Sequence, residues 1–238
     1  MGFFKVLASI WNDEKYRANP VPQRLSDKQL AALNIGAINA EQTMYFCDSL
    51  TTGADGDEIK ENLSEYYGIE DRISALETLS WLYKRGHRVY FAALKPLAAG
   101  RAEVADASAL DEEEQERLGE YLANIKEALP DLLERKFLRS AGELADISII
   151  AWDMGRLVLV TRCCFEAGYI DEEEAWECIN RAAASSRNAY ASWREFAAGY
   201  VAGRAMWSGG GLSLDGIMDI AQGLLDDAAS PWRKYAFK

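Results

Sequence analysis

Apolar positions along the chain recur at spacings of three and four, the period of a helix, and nowhere alternate over a useful length as a strand would. Helix starts are marked where a Ser or Asp stands three residues before a Glu or Gln, so that the two side chains satisfy free N–H groups of a first turn. Ser26 with Gln29 opens a segment running to about Ser49, broken or kinked near Asn34-Ile35-Gly36. Asp171 with Glu174 and Ser192 with Glu195 open two later helices. Between Ile69 and Gly86, the residues Ile73, Leu76, Leu79 and Leu82 are predicted to share one apolar face, with Gly86 as a left-handed terminator. A long helix is predicted over Asp111 to Leu129, its DEEE run forming a solvated first turn at the positive end of the macrodipole and Pro130 closing it.

A nearly all-round apolar helix is predicted from Ala141 to Ala167, followed by helices over Asp171 to Ala184, Ser192 to Trp207 and Leu214 to Asp226. The expected fold is therefore all-α, a single multi-helix globular domain, a non-repeat bundle with a buried central helix near 141–167. That domain is placed at residues 20–238. Residues 1–19 are expected to be a peripheral helix or arm whose Phe3, Phe4, Val6, Leu7, Ile10 and Trp11 dock on the body. The Ala- and Gly-rich stretch from Pro96 to Asp111 reads as a loop or hinge. Ser208-Gly209-Gly210-Gly211 is a flexible connector without the Lys-Ser/Thr of a phosphate loop, and Asp55-Gly56-Asp57 lacks the flanking acids of a calcium loop.

Composition narrows the class. Apolar residues make up 49% of the chain and aromatics 11%, with seven Trp, which is globular rather than disordered composition. The formal net charge is −12, from 38 acidic against 26 basic residues. That balance opposes binding to a phosphate backbone and suits either solubility or docking to a basic protein. Cys47, Cys163, Cys164 and Cys178 form no C-x-x-C pair and have no histidines at ligand spacing, so no metal is expected and all four are expected to be reduced. The first residues show neither a secretory signal nor a myristoylation pattern, and the most apolar stretch, Ile147 to Phe165, contains Asp153, Arg156 and Arg162. A cytoplasmic protein without a membrane span is expected.

Charges embedded in apolar helices are the informative feature, because a buried charge is costly unless it is paired or used. Asp153 and Arg156 stand three apart beside Trp152, so their side chains can meet on one face as a structural ion pair or as part of a pocket. Trp193, Phe196, Tyr200, Gly203 and Trp207 make an aromatic stripe in which Gly203 lets another helix approach. Arg204 points along that stripe, to pair with Asp153 or Glu174 or to stack on a Trp ring. The single histidine, His87, follows Gly86 at a helix end, where its imidazole can bond terminal carbonyls. A histidine-based triad finds no G-x-S-x-G nucleophile elbow in this chain. The candidate cluster is thus Trp152, Asp153, Arg156, Glu174, Trp193, Arg204, Trp207 and His87, read either as a pocket or as a structural ion-pair cluster.

Several strings in this order resemble the bacterial domain-of-unknown-function family 1266. They are Tyr67-Gly68-Ile69, Leu79-x-x-Leu82 with Gly86-His87-Arg88, Ala151-Trp152-Asp153-x-x-Arg156, and Ala167-Gly168-Tyr169-Ile170-x-Glu172-Glu173-Glu174-Ala175-Trp176. Tyr190-x-Ser192-Trp193-x-x-Phe196-x-x-x-Tyr200-x-x-Gly203-Arg204-x-x-Trp207 and Ser230-Pro231-Trp232 complete the set, which spans about residues 65–233. The resemblance implies a bacterial cytoplasmic helical domain centred on the Trp152-Asp153-x-x-Arg156 element and on the helix that runs from Trp193 to Gly203-Arg204-x-x-Trp207, and implies no particular reaction.

No stretch spells out a catalytic motif, and no cofactor is expected. The expected function is a protein-binding module, neutralising an effector or acting as a carrier, that meets a protein partner with its acidic surface. The alternative is a small-molecule-binding protein or enzyme with a Trp/Asp/Arg-lined pocket, Asp153 serving as acid or base and the arginines holding an anionic group. A purely structural domain of a larger assembly is the third reading.

Overall fold

The computed structural model describes residues 15–101 and 106–238, and among these every regular element is a helix. The predicted arm therefore falls mostly outside the described residues. Of its remainder, Tyr16 donates its backbone N–H to Glu41 and Asn19 donates to Asp48, so the chain from residue 15 lies along the body.

The capping box of Ser26 and Gln29 starts α1 (Asp27–Leu33), and the expected break is a 3-10 turn at Asn34–Gly36 that leads into α2 (Ala37–Thr43). The segment ends earlier than expected, because Met44 turns left-handed at φ 60°. Residues 44–54 form a loop held by Arg162, whose buried guanidinium donates to the carbonyls of Phe46 and Thr51 (both 2.7 Å) and Leu50 (3.2 Å). Asp55, read above only as no calcium ligand, caps α3 (Gly56–Tyr67) by accepting from the N–H groups of Asp57 and Glu58. α4 (Arg72–Lys84) opens with a box of Asp71 and Ser74, and α5 (Arg88–Ala98) runs through Pro96 into the stretch expected to be a loop.

The single helix expected over 111–129 is two, α6 (Glu112–Glu116) and α7 (Leu118–Glu134), and Pro130 lies inside α7 instead of ending it. A helical proline forfeits one hydrogen bond and costs about 3 kcal/mol. Burial of Leu132 beyond it, with Phe137 and Leu138 after the helix end, offsets that cost at about 1.5–3 kcal/mol for each fully buried side chain. The DEEE run is not wholly solvated either, since Glu114 forms a bidentate pair with Arg85.

A 3-10 turn (Ala141–Ala145) precedes α8 (Ile150–Glu166), twelve of whose seventeen residues are buried, so the expected central helix is present but begins later. Its cap residue, Ile149, offers no side-chain cap, and the neighbouring Ser148 Oγ takes only the Ile150 N–H (3.3 Å). Tyr190 supplies a cap from afar, accepting from the Ala151 N–H (3.1 Å) and donating to the Ser148 carbonyl (2.6 Å). α9 (Glu172–Ala189), α10 (Trp193–Ser208), α11 (Leu212–Asp226) and the short α12 (Pro231–Lys234) follow. The Asp171–Glu174 box is complete, whereas Ser192 accepts from Glu195 while the Glu195 carboxylate reaches back to Ala191 rather than to the cap.

α8 is the axis of the fold, packed by α2, α3, α4, α9 and α10, with α11 lying on α10 and α2. Gly203 of α10 meets α8 so closely that an added Cβ would lie 2.6 Å from the Trp152 Cβ, the close approach predicted for it. The C-terminal segment closes the core: Trp232 stacks on Trp193 at 4.7 Å and donates to the Asn34 carbonyl. No described helix is long and apolar enough to cross a membrane.

Candidate functional site

The corner between α4 and α5 is where the charged residues of α8 meet the rest of the chain. Gly86 takes φ +61°, which turns the chain so that the next two backbone N–H groups point at α8. Asp153, with no exposed surface, receives them both: Oδ1 accepts from His87 N–H (2.9 Å) and Oδ2 from Arg88 N–H (3.1 Å). Two guanidinium groups complete the shell, Arg156 on Oδ1 (2.7 Å) and Arg88 on Oδ2 (3.1 Å). The predicted Asp153–Arg156 pair thus forms, but inside a larger set. Arg88 also donates to the carbonyls of Leu82 and Tyr83 at the end of α4. The carboxylate therefore sits at the positive start of α5 and the guanidinium at the negative end of α4, each complementing a helix dipole. Gly86 leaves no room for a side chain, since a Cβ there would lie 2.3 Å from the Asp153 carboxyl.

His87 does not bond terminal carbonyls as expected. Its Nδ1 meets Arg156 Nη2 at 3.0 Å, and its ring lies edge-on to Trp81 and Trp152 and near Tyr90 and Tyr121. Burial, with Arg156 and Arg117 close by, pushes the imidazole down to about 3, so it is neutral and accepts from Arg156. Each Asp153 oxygen already accepts two hydrogen bonds, which leaves the carboxylate held rather than poised for proton transfer.

From this centre a ladder runs outward. Arg156 stacks on Trp152 at 3.7 Å, Trp152 lies 5.9 Å from Trp207, and Arg204 stacks on Trp207 at 4.7 Å. Trp207, read as part of the core stripe, is 46% exposed. Arg204 pairs with neither Asp153 nor Glu174; it donates to Ser213 Oγ (2.7 Å), and its buried Nη1 meets no acceptor among the described residues. Burial pushes this guanidinium below its ordinary range, and neighbouring Arg156 adds to the effect. The structure thus gathers Trp152, Asp153, Arg156, Arg204, Trp207 and His87, and places two candidates elsewhere. Glu174 forms a bidentate pair with Arg72 near the surface, and Trp193 belongs to the C-terminal cluster of Phe196, Trp232 and Phe237. Sequence spacing could not separate them, because it carries no information on which helix lies opposite.

The four cysteines are free, and burial pushes the thiols of Cys163 and Cys164 up to about 12, far from a reactive thiolate. Among the described residues no three His, Cys, Asp or Glu side chains gather as a metal site.

A second feature is visible only in three dimensions. On α4 the buried face consists of Ala75, Leu79 and Leu82, while Ile73 is 69% and Leu76 41% exposed. The four residues predicted to share a face do not. At about 100° per residue, the nine positions from Ile73 to Leu82 swing through half a turn. Leu76 lines a shallow groove with Glu77, Ser80, Trp81, Lys84 and Arg85, and the Trp81 ring lies edge-on to His87. Glu70 and Glu77 stand one turn to either side of Ile73, and neither meets a cation among the described residues.

No curated protein and no solved structure matches this chain. A family model described as "Protein of unknown function (DUF1266)" does match, over residues 62–237, which takes in every helix from α4 to α12 and the whole Asp153 centre, and the protein belongs to that family.

Proposed function

We propose that this protein is a protein-binding module, and that it captures a basic amphipathic helix of its partner on the apolar strip of α4. The observation that carries the reading is the exposure of Ile73 and Leu76 on a helix whose opposite face is fully packed. Two large aliphatic side chains held out beside a groove, 69% and 41% exposed, together recover about 1.5–3 kcal/mol when a partner covers them. Glu70 and Glu77 beside the strip, neither of which meets a cation among the described residues, and a chain charge of −12 favour a cationic partner and repel a second copy of this chain. A module of this kind neutralises or carries the protein whose helix it holds. Asp153 plays no chemical part in this reading: its saturated shell supports a structural role, clamping α4 to α8 so that the strip is presented on a rigid helix.

Selection of helical peptides from a random display library at low salt provides the test. Enriched sequences are expected to be basic, with apolar residues at helical spacing, and to lose at least about tenfold in affinity for an Ile73→Asp/Leu76→Asp variant. Raising the salt is expected to weaken binding mainly through the association rate. Peptides of no particular charge, or peptides that bind the double variant as well as the wild type, overturn the reading.

A further inference from the structure

Away from α4, three segments far apart in the chain, around residues 28, 187 and 234–238, converge on a concavity of about 580 Å³. Its wall carries Lys28 from α1, Arg187 from the last turn of α9, and Lys234 and Lys238 from the C-terminal segment, with Asp27 as the one acidic residue and Tyr235 beside them. Four cationic side chains facing one acidic side chain is the reverse of the chain as a whole, which carries −12. None of the four forms an ion pair with a carboxylate among the described residues. Gathering like charges in a recess is unfavourable unless an anion joins them.

The wall is also fixed in place before any ligand arrives. Arg187 Nε donates to the Phe237 carbonyl (2.8 Å) and Trp193 Nε1 donates to the Tyr235 carbonyl (2.9 Å), while the buried Phe237 ring packs edge-on against Trp193 at 4.8 Å. The backbone that carries Lys234 and Lys238 is thereby tied to α9 and α10. Since only the Nε of Arg187 is used, its two Nη groups meet no acceptor among the described residues. A guanidinium fork flanked by ammonium point charges matches the oxygens of a phosphate group, and the volume is that of a small-molecule site.

We propose that this concavity is a binding site for a small phosphate-bearing ligand, held by Lys28, Arg187, Lys234 and Lys238. Titration of the full chain with inorganic pyrophosphate, followed by calorimetry at low salt, tests it, with citrate as a carboxylate anion of similar charge. Pyrophosphate is expected to bind and citrate to bind at least about tenfold more weakly. Lys28→Glu/Lys234→Glu, both surface changes, is expected to abolish pyrophosphate binding with thermal stability retained. Arg187→Gln is expected to weaken binding as well, but it also releases half of the Phe237 tie, so the lysine variant is the deciding one. Lys60→Glu/Lys126→Glu makes the same change of charge on α3 and α7 and is expected to leave binding within about twofold. No binding by the wild type, unchanged binding by Lys28→Glu/Lys234→Glu, equal loss in the α3/α7 control, or citrate binding as tight as pyrophosphate each overturns the proposal.

Discussion

Asp153 shows how much one side chain can organise. It accepts from two backbone N–H groups and two guanidinium groups while fully buried, so replacing it by Asn removes the charge that neutralises Arg88 and Arg156 and places an amide NH2 where a donor already points. Breaking a buried pair from one side leaves the other charge uncompensated, and Asp153→Asn is expected to cost about 3–5 kcal/mol in urea unfolding. Gly86→Ala meets the same carboxyl from the opposite side and adds backbone strain at φ +61°, for roughly 2–5 kcal/mol. Because both changes disrupt one contact, the double variant is expected to lose clearly less than the sum. Additive losses in that double-mutant cycle contradict the shared contact. The Asp153–Arg156 half of this arrangement was legible in their spacing of three. The half that comes from Gly86, His87 and Arg88 was not, because no local rule links residues sixty-five or more positions apart.

Seven of the twelve described helices begin where a side chain at their own cap position places them, and five, α2, α5, α7, α8 and α11, have no such cap. Ser26, Asp55, Asp71, Asp111, Asp171, Ser192 and Ser230 each satisfy first-turn N–H groups from the cap position. The central α8 has no such residue at its cap position: Ser148 takes the Ile150 N–H, and the Tyr190 hydroxyl arriving from the end of α9 takes that of Ala151. That explains why a helix expected from Ala141 begins only at Ile150. Tyr190→Phe keeps the ring and deletes the cap, so it is expected to cost about 1–2 kcal/mol and to raise amide exchange in the first turn of α8. Unchanged exchange at Ala151 would show that the hydroxyl does not hold this end. α4 teaches the complementary lesson: steps of three alone drift around a helix, and a stripe needs threes and fours mixed.

One response of the whole molecule to pH runs through its one histidine. The folded imidazole, faced by Arg156 and Arg117 and walled by Trp81, Trp152, Tyr90 and Tyr121, is held at about 3, against about 6.5 when unfolded. Between those values the unfolded chain binds a proton that the folded chain refuses, so the stability present above pH 6.5 declines as the pH falls. The decline from pH 7 to pH 5 is expected to be about 2 kcal/mol, before most carboxylates titrate. Denaturant unfolding at both pH values, with His87→Gln alongside, measures it: the variant is expected to show a markedly smaller difference, and an equal one would assign the effect to another group. Charge is also arranged at this scale, with an acidic body, an apolar strip on α4 and a basic recess built by α1, α9 and the C-terminal segment.

Helical periodicity and capping boxes are local properties, decided within four or five residues, and from them the all-α class, the buried helix around Asp153 and most later helix starts follow directly from the chain. Family motifs group Trp152, Asp153 and Arg156 with the helix from Trp193 to Trp207, of which Arg204 and Trp207 join them and Trp193 does not. Three-dimensional packing alone decides the rest. Pro130 stays inside α7 because burial of Leu132, Phe137 and Leu138 beyond it outweighs one lost hydrogen bond. Asp153 is saturated because the α4–α5 corner presents its N–H groups to α8. Ile73 and Leu76 face outward because α8 covers only one side of α4, and Lys28, Arg187, Lys234 and Lys238 share a recess because α1 lies on α9 and the C-terminal segment returns across them. Each of these is a relation between distant segments, and its energy exists only once both are in place.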